Sequence, residues 1–485
     1  MNLIELRVGE VRRQYALLAD ELSDWCQRAE KPAFEKHLSQ VIRIATRLNG
    51  YLELVPPPAP GVIPDQAGLA TLAARLQAAA RVWAYFREKF ALRAVDWLAP
   101  TLKWADELAW SCYKPVRDAA IKARAEAESR ALSALVAAGV TDPHELAKRT
   151  QKDADDAGTV VAGALKEPPL VTFTTDASPF ASARESAVEG LTEQDRQVLD
   201  ESVRRLPVPV VGVPWSYLDH LPRSVSIAHE VGHAASWDLN LRGAVDAAFA
   251  GLAHPPATPG AVPRPVPDER RLGWQAWRHE LFADAYGIQC TGTAAVLALA
   301  DFLAGDPAVL GGQRQGPAFR AHPPDVLRMK VNLALLAAAG ADDEGLGAAW
   351  EAAYPFHQFA AFEDDIPAVV AALLHTPLPA LGGTLSEVLP FGQAQRARVA
   401  GLRAGLIANK EIEPFTIFRE AMAAVATLYY VDPLAYAGAD AERSLLGRVQ
   451  GLVKPGPRAV RSAAENQSVA AYDRAAGADL ITLPE

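Results

Sequence analysis

Cysteine is scarce in this chain: three residues in 485, at Cys26, Cys112 and Cys290. They are far apart and odd in number, which excludes a disulfide framework and fits a reducing, cytoplasmic setting. Long apolar runs are also missing. The stretch 294–303 is interrupted by Asp301, and 331–340 is too short to cross a bilayer, so no membrane insertion is expected. The opening residues lack the basic-then-apolar layout of a signal peptide. No charge block dominates. The net charge is −10, with both signs interspersed, which excludes a nucleic-acid surface built on a basic stripe. The chain carries no P-loop, no G-x-G-x-x-G, no G-x-S-x-G and no internal repeat. Arg outnumbers Lys and Ala is abundant, the mark of a GC-rich and hence bacterial genome.

Half of the residues are hydrophobic, so core size is not limiting, and the length predicts two or three domains. Leu3, Ile4, Val8, Val11, Tyr15, Leu18 and Leu22 recur at helical spacing, and a helix is predicted over 2–29. Further helices are predicted from Pro32 to about 52, over about 65–90, and over about 96–138 with a break near Pro115. Trp83, Tyr85, Phe86, Trp97, Trp104 and Trp110 read as core or helix contacts. Residues 151–164 read as a linker or frayed helix. Leu170–Thr175 and Pro207–Val213 read as strands, and their prolines place them at sheet edges. An exposed edge there would hold an extended peptide by main-chain hydrogen bonds. Helical content resumes over 341–374 and 393–430, and the tail from Lys454 reads as partly disordered. The fold class is thus mainly α with a small β-sheet (α+β). The domains are an N-terminal helical domain over 1–165, a core over 166–340 with a Pro-rich insertion at 251–268, and a C-terminal helical region over 341–485. The N-terminal helices offer a surface for a partner or for self-association.

One segment carries chemistry that can be read directly: Ser226-Ile-Ala-His-Glu-Val-Gly-His-Ala-Ala-Ser236, an H-E-x-x-H motif. Histidines at i and i+4 lie about 40° apart around a helix, so His229 and His233 project from one face. Neutral imidazoles at that spacing share a Zn²⁺, and Glu230 beside them can take a proton from its water. The flanking residues are uncharged, as suits a buried helix. Gly232 inside the helix costs about 1 kcal/mol relative to Ala, which marks close backbone approach, here expected from a neighbouring strand.

A catalytic zinc needs a third protein ligand and an open position. The extended H-E-x-x-H-x-x-G-x-x-H pattern fails, because Ser236 and Leu239 stand at its Gly and His positions. Farther on, Trp277-Arg-His-Glu-Leu-Phe-Ala-Asp-Ala-Tyr-Gly287 places Glu280 and Asp284 at i and i+4 on a largely apolar helix. Carboxylates on a buried helix need a partner, and a metal is one. Glu280 completes a His₂Glu set, and Asp284 can fix the tautomer of a ligand histidine. His279 is a weaker ligand candidate, about 100° away around the helix. For the developing oxyanion the candidates are His322, Arg328, Tyr286 and His279, with His322 favoured because Pro323 and Pro324 hold it on a rigid turn. His220 and His254 read as surface residues.

H-E-x-x-H followed by E-x-x-A-D resembles the gluzincin metallopeptidases. It is most similar to the group containing the CAAX prenyl protease and the HtpX-type heat-shock proteases. Ala321-His-Pro-Pro-Asp-Val-Leu-Arg328 is similar to that group's downstream S-H-P-x-x-x-x-R segment. The resemblance covers roughly 205–335. It implies a zincin-like core in which His229, His233 and Glu280 bind zinc, Glu230 is the base and Asp284 supports a ligand. Two departures stand out: the long His233-to-Glu280 spacing and the absence of the membrane spans typical of that group. The expected function is zinc-dependent hydrolysis of a protein or peptide substrate. The alternative is a zinc-binding regulatory or scaffold protein without turnover, which the intact Glu230 argues against.

Overall fold

The helical spacing of the first ninety residues folds as three long helices: α1 (Leu3–Ala29), α2 (Leu38–Leu54) and α3 (Gln66–Ala91). The computed structural model describes residues 3–30, 35–159, 168–217, 220–254, 262–312 and 320–453. Asp65 caps α3 by accepting from the Gly68 amide at 2.6 Å, satisfying one of the free donors of its first turn. Trp25 of α1 meets Trp83 of α3 edge-on, with ring centroids 6.0 Å apart. Trp83, Phe86 and Trp104 are core residues as expected, whereas Trp97 is largely exposed.

α4 (Ala99–Ala137) runs through Pro115 without the expected break. Proline removes the amide that would bond the carbonyl four residues back. That carbonyl belongs to Ser111, and the Arg419 guanidinium donates to it at 2.7 Å instead. A distant side chain therefore supplies the missing donor. The expected linker at 151–164 begins inside α5 (Pro143–Asp156), whose Asp142 cap accepts from the His144 amide at 2.8 Å. Residues 160–164 lie outside the described residues.

Three strands form a small sheet in the order β1 (Leu170–Thr174), β3 (Val210–Pro214), β2 (Phe180–Ser182). β1 is parallel to β3 and β2 antiparallel, with Val171 opposite Val211 and Phe180 opposite Gly212. The Phe180 ring covers Gly212 so closely that a Cβ there would lie 2.6 Å from its Cζ. The edge assignment of 207–213 is corrected here: β3 is central. Pro207 and Pro209 precede its first paired residue, so they cost the ladder no donor. β4 (Ala253–His254) and β5 (Arg264–Pro265) form a two-stranded ribbon at the base of the Pro-rich insertion. Residues 255–261 of that insertion lie outside the described residues, as does the tail from 454.

The hydrophobic core does not divide at residue 165. α1–α3 pack with Leu170, Val188, Leu206 and Val210 in one cluster. Trp104 to Ala120 of α4 belong to a larger cluster, which holds the H-E-x-x-H helix and the C-terminal helix Phe418–Val431. A buried polar node joins the two parts. Arg93 pairs with Asp106 at 2.8 Å and donates to the Val171 carbonyl at 2.8 Å, and His37 lies 2.9 Å from Asp106. Among the described residues no helix is long and apolar enough to cross a membrane.

At the centre the motif helix (Ile227–Asp238) lies against the carboxylate helix (Asp268–Thr291). A Cβ on Gly232 would sit 2.9 Å from Tyr286 Cβ and 3.1 Å from Ala283 Cα. The close neighbour of Gly232 is therefore this helix and not a strand. Gly287 also faces the motif helix, but a Cβ there would meet the His229 amide at 3.5 Å, an ordinary contact. Overpacking of this kind costs about 1–3 kcal/mol. Gly232→Val is expected to lower the unfolding free energy by at least that range in urea titration. Gly243→Ala, where a Cβ meets nothing within 4 Å, is expected to leave it unchanged or raise it. Equal effects at both positions would contradict the close-approach account.

Candidate metal centre

His229 and His233 sit one turn apart on the motif helix, and Glu280 reaches them from the carboxylate helix. His229 Nε2 and His233 Nε2 are 3.2 Å apart. Glu280 places Oε2 at 3.6 Å from the first and Oε1 at 3.4 Å from the second. One donor atom from each residue falls within 4.8 Å of the other two. Two imidazole nitrogens and a carboxylate oxygen are a donor set that suits zinc. Two facing ring nitrogens cannot both keep lone pairs in so small a space without a proton or cation between them, so the residues fit a metal ion.

The orientation of His229 is fixed from behind. Its Nδ1–H donates to Asp284 Oδ1 at 2.9 Å, which leaves Nε2 facing the cluster. Asp284 is almost fully buried and is held by the Arg328 fork at 2.7 and 2.8 Å and by Asn332 Nδ2 at 3.0 Å. Burial opposes the charge on Asp284, but Arg328 and His229 overcome it and hold the carboxyl well below the usual carboxylate range. Burial likewise opposes charge on His229, and its Asp284 and Glu280 contacts raise it to about 10. The cluster thus binds a proton tightly where a metal would sit. Glu280 is held far below its ordinary value: burial opposes, and His229, His233 and His322 prevail. His233 is backed by Trp237, whose ring stacks on it at 5.6 Å.

These groups line a cleft of about 800 Å³. Glu230 lines it too, only 6% exposed. Burial pushes its carboxyl above the ordinary value, against the pull of the two imidazoles. One wall comes from Ala177 to Ala181 and so includes the edge strand β2. The expected strand edge beside the motif helix exists, but it belongs to Phe180–Ser182, a segment too short to announce itself in the sequence. Another wall is the helix Thr293–Leu303.

His322 stands at the cleft rim with its side chain 63% exposed and Nε2 3.2 Å from Glu280 Oε2. The other oxyanion candidates fall away. Arg328 is committed to Asp284. Tyr286 is fully buried and donates to the Cys112 carbonyl at 2.8 Å. His279 turns from the cluster, receiving from Arg242 Nε at 3.3 Å beside Asp246. Burial and the Arg242 and Arg278 charges lower it to about 4, so it is neutral. The surface reading of two histidines is corrected. His220 is half-buried, with Nε2 3.3 Å from the Tyr429 hydroxyl. His254 is mostly covered, 3.1 Å from the fully buried Asp365. Asn332 was not signalled in advance; only its position one turn beyond Arg328 on the helix Asp325–Ala338 could have suggested it.

A zinc ion bound here would have to displace the proton that the raised basicity of His229 favours. Its apparent affinity is expected to rise about tenfold per pH unit through neutrality for one proton displaced. Calorimetry in buffers of different ionisation enthalpy should detect that proton; pH-independent affinity would refute the coupling. Asp284→Asn is expected to weaken zinc by about 10–100-fold, read by competition with a chromophoric chelator. The same change leaves Arg328 buried beside a neutral partner and should lower stability by about 3–5 kcal/mol.

Comparison with protein-family models, with curated proteins and with solved structures finds no match for this chain.

Proposed function

We propose that the protein is a zinc-dependent metallopeptidase of gluzincin type, hydrolysing peptide bonds in an extended protein or peptide substrate. The reading rests above all on one observation: His229, His233 and Glu280 converge within 4.8 Å in the cleft that Glu230 also lines. A purely structural histidine pair would not need three ligand-type groups, a buried carboxylate beside them and access from solvent.

Zinc held by His229, His233 and Glu280 would supply Lewis acidity toward water and toward a scissile carbonyl. Glu230 takes the proton of the attacking water and returns it to the leaving nitrogen. Its raised affinity for protons suits a group that must hold one between those two steps. Asp284 keeps His229 in the tautomer that presents Nε2, and Arg328 with Asn332 keep Asp284 in place. β2 offers an unpaired edge along which a peptide main chain can lie antiparallel, presenting one carbonyl to the cluster. His322 at the rim is the group assigned to the developing oxyanion. The bacterial cytoplasm remains the setting expected for this activity.

Glu230→Gln is expected to retain about one zinc per chain and to lose cleavage. The tests are elemental analysis and a proteome-wide search for new N-termini beside wild type. Cleavage by Glu230→Gln would remove it as the base. Zinc retention with no wild-type cleavage would favour a non-catalytic scaffold. Glu280→Ala is expected to lose the metal; retention there, with loss in His279→Ala, would reassign the third ligand.

A further inference from the structure

The helix that forms this other wall of the cleft carries a pattern that the chemistry above does not use. Ala295, Ala298, Leu299 and Phe302 stand at i, i+3, i+4 and i+7, one face of the helix Thr293–Leu303, and all four line the cleft. Ala295, Ala298 and Leu299 are half-buried, and Phe302 is 51% exposed. The rest of the helix buries its apolar residues in the core, so this stripe is apolar surface given to the cleft.

At the edge of the stripe stands Asp301, the residue that interrupts the apolar run of this segment. Arg223, also in the cleft wall, donates through Nε to Asp301 Oδ2 at 2.9 Å. The Tyr430 hydroxyl lies 3.4 Å from the same oxygen. The contact uses one of the five guanidinium donors. The Nη1 and Nη2 donors have no hydrogen-bond partner among the described residues. The two side chains are 41% and 35% exposed, and an ion pair this open adds little to stability. Asp301 fixes the stem of the fork and leaves its planar end without a partner among the described residues. That end matches a carboxylate, which accepts two parallel N–H bonds from it. Arg223, Tyr217, Asp301 and Glu230 all line this cleft, so the fork and Glu230 share it.

We infer that, on the metallopeptidase reading, the cleft selects peptides that lay a bulky apolar side chain on the Ala295–Leu299–Phe302 stripe and place a nearby carboxylate on Arg223. The carboxylate is either an acidic side chain or the free end of the chain, and Asp301 acts as a positioning residue for the arginine.

The test uses matched fluorescent peptides that vary at two places: Phe or Leu against Ala, and Glu against Gln. A second set carries a C-terminal carboxylate or amide. Binding is measured by anisotropy on zinc-loaded Glu230→Gln and on metal-free wild type, and cleavage on zinc-loaded wild type. The peptide with both the bulky apolar residue and a carboxylate is expected to bind tightest. Arg223→Ala should weaken it by about 10–100-fold without affecting its Gln or amide partner. Arg223→Lys should recover part of the loss, because it keeps the charge and not the fork. Asp301→Asn should give a smaller loss. Leu299→Ala with Phe302→Ala should abolish the preference for Phe and Leu while zinc content stays at the wild-type value. The side-chain and C-terminal sets identify the source of the carboxylate. Cleavage with no preference at either place, or equal losses for Glu and Gln peptides in Arg223→Ala, overturns the inference and leaves the peptidase reading intact. Absence of both binding and cleavage across the whole set overturns both.

Discussion

The centre of this molecule depends on two helices approaching more closely than side chains normally permit. Gly232 removes the Cβ atom at the crossing, and Tyr286 and Ala283 fill the space against it. That contact brings Glu280 to the two histidines, although forty-six residues separate it from His233 in the chain. Without it the H-E-x-x-H face would still present two imidazoles, but no third donor would reach them. Glycine inside a helix is unfavourable by about 1 kcal/mol, so the packing of the two helices must more than offset that loss.

A second layer makes the approach directional. Asp284 stands one turn beyond Glu280 and meets His229 from behind, while Arg328 and Asn332 reach Asp284 from a third helix. Each charge in this row is buried and costly alone. Paired in sequence, they fix the ring of His229 and leave its Nε2 turned to the cleft. Pro115 and Arg419 show the same logic in the backbone. α4 crosses the core through a proline because a guanidinium from the C-terminal region takes the orphaned Ser111 carbonyl. Helices far apart in sequence thereby share one core around the site.

Local chemistry was the part most legible in advance. His229 and His233, Glu280 and Asp284 each form an i, i+4 pair, and helical geometry alone puts each pair on one face. The long N-terminal helices were equally plain from their apolar spacing. Long-range pairing was not legible. The strand edge on the cleft belongs to Phe180–Ser182, three residues with no period to read, while the Pro-flanked 207–213 segment became the centre of the sheet. Gly232 announced a close neighbour, but the strand expected there proved to be the carboxylate helix. Tyr286, His220 and His254 have polar groups whose partners lie 209 residues away or less along the chain and in other elements. No spacing rule connects such residues, and α4 joined the central core for the same reason.

At His229 burial and neighbouring charge pull in opposite directions. The burial that should discharge His229 is outweighed by its Asp284 and Glu280 contacts, which raise its affinity for a proton. The carboxylates that would favour a divalent cation in the cluster therefore also favour a proton there. Raising the pH removes that competitor, and lowering it restores it. Glu230 lies in the same field, but there burial prevails over the imidazoles and favours its neutral form. A cation in the cluster would lower the cost of its negative charge. On the proposed reading, a metal in the cluster and the charge on Glu230 would be coupled through the same short distances, so a substitution that changed one would shift the other.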